Sequence, residues 1–267
     1  MFKNNLKKFF AFFSLFALTY TSIASTSVVA ETFATKECDP IQVVIHASYG
    51  GGTDTTARMM SIRSRRTLKA DMQIVGKRGG SGAKAQNYTL TRPKDGCTIM
   101  ALTESHLYTM ARGKSDMKID DLVGVARAME EPTFIVVNAK NKEFSTINKF
   151  IIRSQKKPIV TAIASIGGTE HIGMYNYSKT ADVPFKAVSF GSGAQSLQAL
   201  ASGKVEASLL NPSEAAALIA DKKIKAIVLL HDKALADYPK VKTSYSMGHN
   251  VKVVTTRGYA VLKGTPQ

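Results

Sequence analysis

The 267-residue chain carries 36 Lys and Arg against 20 Asp and Glu, a formal charge of +16, and 44% of its residues are hydrophobic. That apolar share supports a sizeable core and excludes a disordered tail. The basic residues are dispersed rather than interleaved with aromatics, as in Arg63, Arg65, Arg66 and Lys69. The charge therefore argues for attraction of anionic solutes and against nucleic-acid binding.

Lys3, Lys7 and Lys8 precede an apolar run, Phe9 to Ala17, interrupted only by Ser14, and a small-residue stretch ends at Val28-Val29-Ala30. A basic region, a short apolar region and small residues before a cleavage point predict a signal peptide over residues 1–30. The run falls short of the about 20 apolar residues that a membrane span needs. The product is expected to be soluble and exported. In that setting Cys38 and Cys97 either form a disulfide or stay as two buried free thiols.

Strand, glycine-rich loop and helix then alternate. Ile41 to Ala47 reads as a strand, Tyr49 to Asp54 as a loop, and Ala57, Met60, Ser64 and Leu68 mark one face of a helix. A strand near Gln73 to Val75 leads through Arg78-Gly79-Gly80-Ser81-Gly82 to a helix ending near Thr91, ahead of Pro93. Thr98 to Leu102 is a third strand, running into Thr103 to His106. Val123 to Met129 and Thr133 to Asn138 read as strands separated by Glu130-Glu131-Pro132.

The pattern restarts with a helix over Thr146 to Ser154, a strand at Ile159 to Ala164 and a loop at Ser165 to Thr169 that opens a helix carrying His171. Phe185 to Phe190 leads through Gly191-Ser192-Gly193 to a helix stopped by Gly203. Val205 to Leu210 and Ile224 to Leu230 flank Asn211-Pro212-Ser213 and an alanine-rich helix, and a strand pattern closes the sequence. Strands alternating with helices predict parallel sheets, and the restart predicts two similar α/β lobes.

A glycine-rich turn feeding a helix exposes unpaired N–H groups at the positive end of the helix dipole, which suits carboxylate or phosphate. Such loops occur at the C-terminal strand ends, where open α/β sheets place their clefts. Several on two lobes point to an anion held between facing helix starts. Catalytic patterns are absent: Gly50 to Asp54 lacks the full dinucleotide fingerprint, and Ala83 stands where a nucleophile elbow needs glycine. The histidines (His46, His106, His171, His231, His249) are scattered, and no metal or cofactor is expected.

Several motifs resemble one family. Gly50 to Asp54 with Ala57-Arg58, Arg78 to Gly82, Arg92 to Thr98, Gly167-Gly168-Thr169 with His171, Gly203 to Ala207, and Arg257-Gly258 with Lys263 to Pro266 look like the extracytoplasmic solute receptors of tripartite tricarboxylate transporters, the Bug receptors. The resemblance implies a type II periplasmic-binding-protein-like fold, two α/β lobes with a ligand cleft between them. It divides the chain into one lobe of residues 31–131 plus 251–267 and another of 132–250. That family's chain continues past the Gly264-Thr265-Pro266 turn, so the resemblance also implies truncation of the first lobe.

By the same resemblance the protein is a monomeric, periplasmic, non-enzymatic receptor that passes a small di- or tricarboxylate to large and small permease subunits. Main-chain amides and hydroxyls would hold the carboxylate. The first lobe offers Gly51, Gly52, Thr53 and Asp54, with Thr103 and Ser105 nearby and Tyr49 as the adjacent aromatic. The second offers Ser165, Gly167, Gly168, Thr169 and His171, with Gly191, Ser192, Gly193, Asn211 and Ser213 further out. Alternatives are an exported enzyme using His171 and Asp54 as acid and base, or a non-functional copy.

Overall fold

The computed structural model describes residues 38–266. The expected signal peptide lies outside the described residues. Short β-branched runs form the strands, and the pattern of burial shows which faces they cover. In the first sheet β1 (Ile41–Ile45) runs parallel to both β2 (Met72–Gly76) and β3 (Thr98–Leu102). β9 (Val254–Leu262) joins β3 antiparallel and pairs in turn with β4 (Leu122–Asn138).

β4 links the two sheets. It pairs with β9 as far as Pro132 and from Thr133 onward with β8 (Ile224–Leu230) and, over Phe134 to Val137, with β7 (Ala207–Leu210). β5 (Ile159–Ile163) lies parallel between β7 and β6 (Phe185–Ser189). The strand order is β2-β1-β3-β9-β4-β7-β5-β6, with β8 also on β4. Helices α1 (Gly52–Ser61), α2 (Ser64–Leu68), α3 (Ala83–Leu90) and α4 (Glu104–Ala111) follow the strands of the first sheet. α5 (Ile147–Lys156), α6 (Thr169–Ala181), α7 (Gly193–Ala201) and α8 (Pro212–Ala220) accompany the second.

Alternate residues of β4 serve opposite faces, as the two-residue period of a strand requires. Ile135 and Val137 join a core with Phe144, Phe150 and Tyr177, whereas Phe134 and Val136 pack with Leu200, Leu210 and Ala215. The first sheet has smaller cores, one around Val43, Ile45, Ala57 and Tyr259 and one around Met100, Met117 and Leu262.

Local structure departs from the sequence reading at three places. The first helix breaks after Ser61 into α1 and α2, and the displaced Arg65 binds both Asp39 and Asp71. Thr103 to His106 is a helix start, with Thr103 as N-cap of α4 and its N–H donating to His106 Nδ1 at 3.1 Å. Glu130-Glu131-Pro132 lies within one 17-residue strand. Its bulges at Gly124/Ala126 and Arg127/Met129 absorb the irregular register. Pro132, which has no N–H, falls where the strand changes sheets and accepts a bond from the Asn211 side chain.

Cys38 and Cys97 form a disulfide. It joins the residues just ahead of the parallel neighbours β1 and β3. Among the described residues no helix is long and apolar enough to cross a membrane.

Candidate site between the lobes

The C-terminal ends of β1, β2 and β3 deliver three loops to one side of a cleft, and those of β5, β6 and β7 deliver three to the other. Two connected spaces result. A narrow recess of about 40 Å³ is lined by Gly51, Gly52, Thr53, Thr103, Ser105, Ser165, Thr169, Ser192 and Gly193, and also by Glu170, Glu214 and Arg257. A wider chamber of about 550 Å³ shares His46, Ala47, Ala164 and Ser165 with the recess and extends over Ser48, the Arg78 to Gly82 loop, Ile166, Ser189, Phe190, Gly191 and Gln195.

In the recess the helix starts already hold partners from this chain. The Gly52 N–H at the beginning of α1 donates to the Glu214 carboxylate at 3.3 Å. The Thr169 N–H at the beginning of α6 donates to Ser105 Oγ at 3.2 Å, and the two hydroxyls are also 3.2 Å apart. These bonds close the lobes on each other. Ser48 adds two more at the chamber, from its N–H to the Gly191 carbonyl at 3.2 Å and from its hydroxyl to Gln195 Oε1 at 3.1 Å. Ser81 donates to the Ile166 carbonyl.

A buried ion pair underlies the recess. Arg257, a residue 5% exposed, donates from its guanidinium to Glu131 at 2.9 Å and to Asn211 Oδ1 at 3.0 Å. A Cβ on Gly52 would come within 2.2 Å of that guanidinium, so glycine is required for the close approach. Burial pushes the Glu170 carboxyl up to about 7, aided by the nearby Glu214 and Glu104 and opposed by Arg257. Glu214 is likewise raised, chiefly by burial.

His46 and His106 meet edge to face with centroids 4.2 Å apart. Burial, with Arg257 adding repulsion, lowers His46 to about 4, and burial next to His46 also lowers His106. Both rings are neutral at pH 7. The Thr103 N–H bond makes His106 Nδ1 an acceptor, which leaves the proton on Nε2.

The structure gathers nine of the sequence-derived candidates around the recess, as given above, and Gly191 and Ser165 on the chamber. The others lie elsewhere. Tyr49 is 55% exposed and its hydroxyl accepts from the Gly76 N–H. The Asp54 carboxylate turns back on its own segment, accepting from the Gly50 N–H at 2.8 Å and from Arg58 at 2.9 Å. Gly168 caps α6 behind Thr169. The Gly167 N–H is taken by His171 Nδ1 at 2.9 Å.

Burial lowers His171, and Arg112 adds to the shift. Asn211 is bonded to Arg257 and to Thr255, and Ser213 donates to Glu131 at the back of the recess. Neither Asp54 nor His171 lines either space, so the acid–base pairing finds no support in the geometry. Arg78, Ser48, Gln195, Glu170 and Glu214, with His46 and Arg257, line the two spaces and are not among the sequence-derived candidates. For Glu214 a signal existed, because Asn211-Pro212-Ser213-Glu214 reads as a capping box, with the Asn211 N–H donating to the Glu214 carboxylate at 3.2 Å.

Two α/β lobes, linked by a shared strand and meeting over a cleft at their C-terminal strand ends, define a protein of the periplasmic solute-binding fold. Comparison with known proteins agrees. Residues 56–267 match the model of the tripartite tricarboxylate transporter family receptor, and the chain belongs to this family of solute-binding receptors. It is 22% identical over 271 residues to Protein BugT of Bordetella pertussis, covering 98% of this chain and 80% of that protein.

Two solved structures share the fold. MatC from Rhodopseudomonas palustris with bound malate superposes with a TM-score of 0.78 at 23% identity, over 85% of this chain and 79% of that one. A second R. palustris protein, solved with adipate, gives 0.79 at 20% identity over 86% and 78%.

Proposed function

We propose that the chain is an exported periplasmic receptor that captures a small carboxylate and passes it to integral-membrane permease subunits. It acts as a monomer, without cofactor or metal and without catalysis. The observation that carries this reading is the composition of the chamber. Its lining holds hydroxyls, glycine main chain and the Arg78 side chain, and no carboxylate. The recess differs, because Glu170 and Glu214 line it. An anion is therefore favoured in the chamber, with the Ser165 hydroxyl among its donors and the recess residues holding the closed arrangement beneath. Family membership and the acids named for the two similar structures support the same ligand class.

For the lobes we infer the sequence-derived first boundary, after residue 131, and a return crossing somewhat later than the expected 251. The change of partners by β4 between Pro132 and Thr133 supports the first boundary. Val251 and Val253 pack with the second-sheet core, which favours a return crossing close to Val254. Closure on a ligand follows from contacts that exist only when both sets of loops meet.

A thermal-shift screen of organic acids tests the function. A ligand at a hundredfold its dissociation constant is expected to stabilise the protein by about 2.7 kcal/mol. A folded protein whose melting temperature no carboxylate moves would refute the reading.

A further inference from the structure

We propose that Arg78 is the specificity residue of the chamber, the counter-ion for a second acidic group, so that the receptor prefers compact diacids to equally long monoacids. This rests on the carboxylate-receptor reading. Arg78 follows β2, the edge neighbour of β1, and its loop forms part of the chamber wall. Its guanidinium donates to Ser48 Oγ at 3.3 Å, and that hydroxyl donates on to Gln195 Oε1 at 3.1 Å. The row Arg78, Ser48, Gln195 thus spans the cleft from the loops of the first sheet to α7 of the second.

Among the described residues no carboxylate forms a salt bridge with Arg78. The chamber lining includes no Asp or Glu, and its one histidine, His46, is neutral. A cation at the wall of a cavity, held only by a neutral hydroxyl, lacks a counter-charge. Guanidinium geometry suits a carboxylate, which it binds through two parallel N–H groups. An acid that reaches the Ser165 hydroxyl with one end can present its other end to Arg78 across the same chamber. Arg78 is exposed, so a neutral end leaves the guanidinium to water and gains no charge-assisted bond from it.

The test is calorimetric titration of the full chain with succinate, glutarate and adipate, each against its monoamide. The wild type is expected to favour at least one diacid over its monoamide by about tenfold or more, the usual scale of a charge-assisted hydrogen bond. Arg78→Gln should bring the pair to within about threefold while keeping monoamide affinity, and Arg78→Lys should retain the larger part of the preference.

An Arg78→Gln protein that keeps the wild-type preference overturns the assignment to Arg78. Monoamides that bind the wild type as tightly as the diacids overturn it as well and leave the receptor reading intact. Failure of every acid and every monoamide to bind refutes the receptor reading itself, and this inference with it.

Discussion

The Glu214 carboxylate accepts a hydrogen bond from the Gly52 N–H across the cleft at 3.3 Å, so the start of α1 is occupied by an anion belonging to the protein. From the sequence that amide is expected to serve a ligand, whereas in the structure it goes to the third residue of α8. The bond is non-local, linking residues 162 positions apart, and it competes with any solute for the same donor. Glu214 therefore acts as a latch as well as a helix cap.

Replacing Glu214 with Ala should remove both bonds, cost about 1–3 kcal/mol and shift the ligand-free protein toward open arrangements. Urea unfolding reads the first effect and the radius of gyration from solution scattering reads the second. A variant matching the wild type in both would show that the latch contributes nothing.

Arg257 and Glu131 predict a larger effect. They are 6% and 13% exposed at the side chain and 2.9 Å apart, and Arg257 also satisfies Asn211. Removing one partner strands a desolvated charge, so Arg257→Ala should destabilise by about 3–5 kcal/mol. Pairing Arg257→Met with Glu131→Leu should recover much of that loss, because the unpaired charge disappears with its partner. A double-mutant cycle by chemical denaturation checks the coupling, and additive losses would contradict it.

These two relationships explain where sequence reading stops. β1 and β3 are legible because apolar β-branched runs end in glycine or hydroxyl-rich turns, β8 because its apolar run gives way to His231-Asp232-Lys233, and the disulfide partners lie ahead of the first two. The loop Arg78 to Gly82 is legible as a loop, but only the pairing of β2 beside β1 turns it toward the chamber. β4 is obscured by its bulges and by Pro132, which reads as a break although the strand runs through it. Gly258 stands opposite Arg127, where a Cβ would come within 2.8 Å of the Ala126 main-chain oxygen, and that requirement is invisible until β4 and β9 are paired. Arg257, Glu131, Glu170 and Glu214 converge from four separate elements, and no local spacing announces the cluster.

Glu170 gives the cluster a pH dependence. Burial raises its carboxyl from 4.5 to about 7, with neighbouring carboxylates adding to the effect. A carboxyl raised in the folded state binds its proton more tightly there than in the unfolded chain. Its contribution is thus fully present below the unfolded pKa and lost as pH rises through about 7. Glu170→Gln mimics the protonated form. It should therefore have little effect on stability near pH 4 and should stabilise the protein at pH 8 by about 1–3 kcal/mol. Denaturation midpoints of wild type and variant across this range measure the difference. A difference that stays constant with pH, or one that favours the wild type at pH 8, would mean that Glu170 ionises as freely in the folded protein as in water.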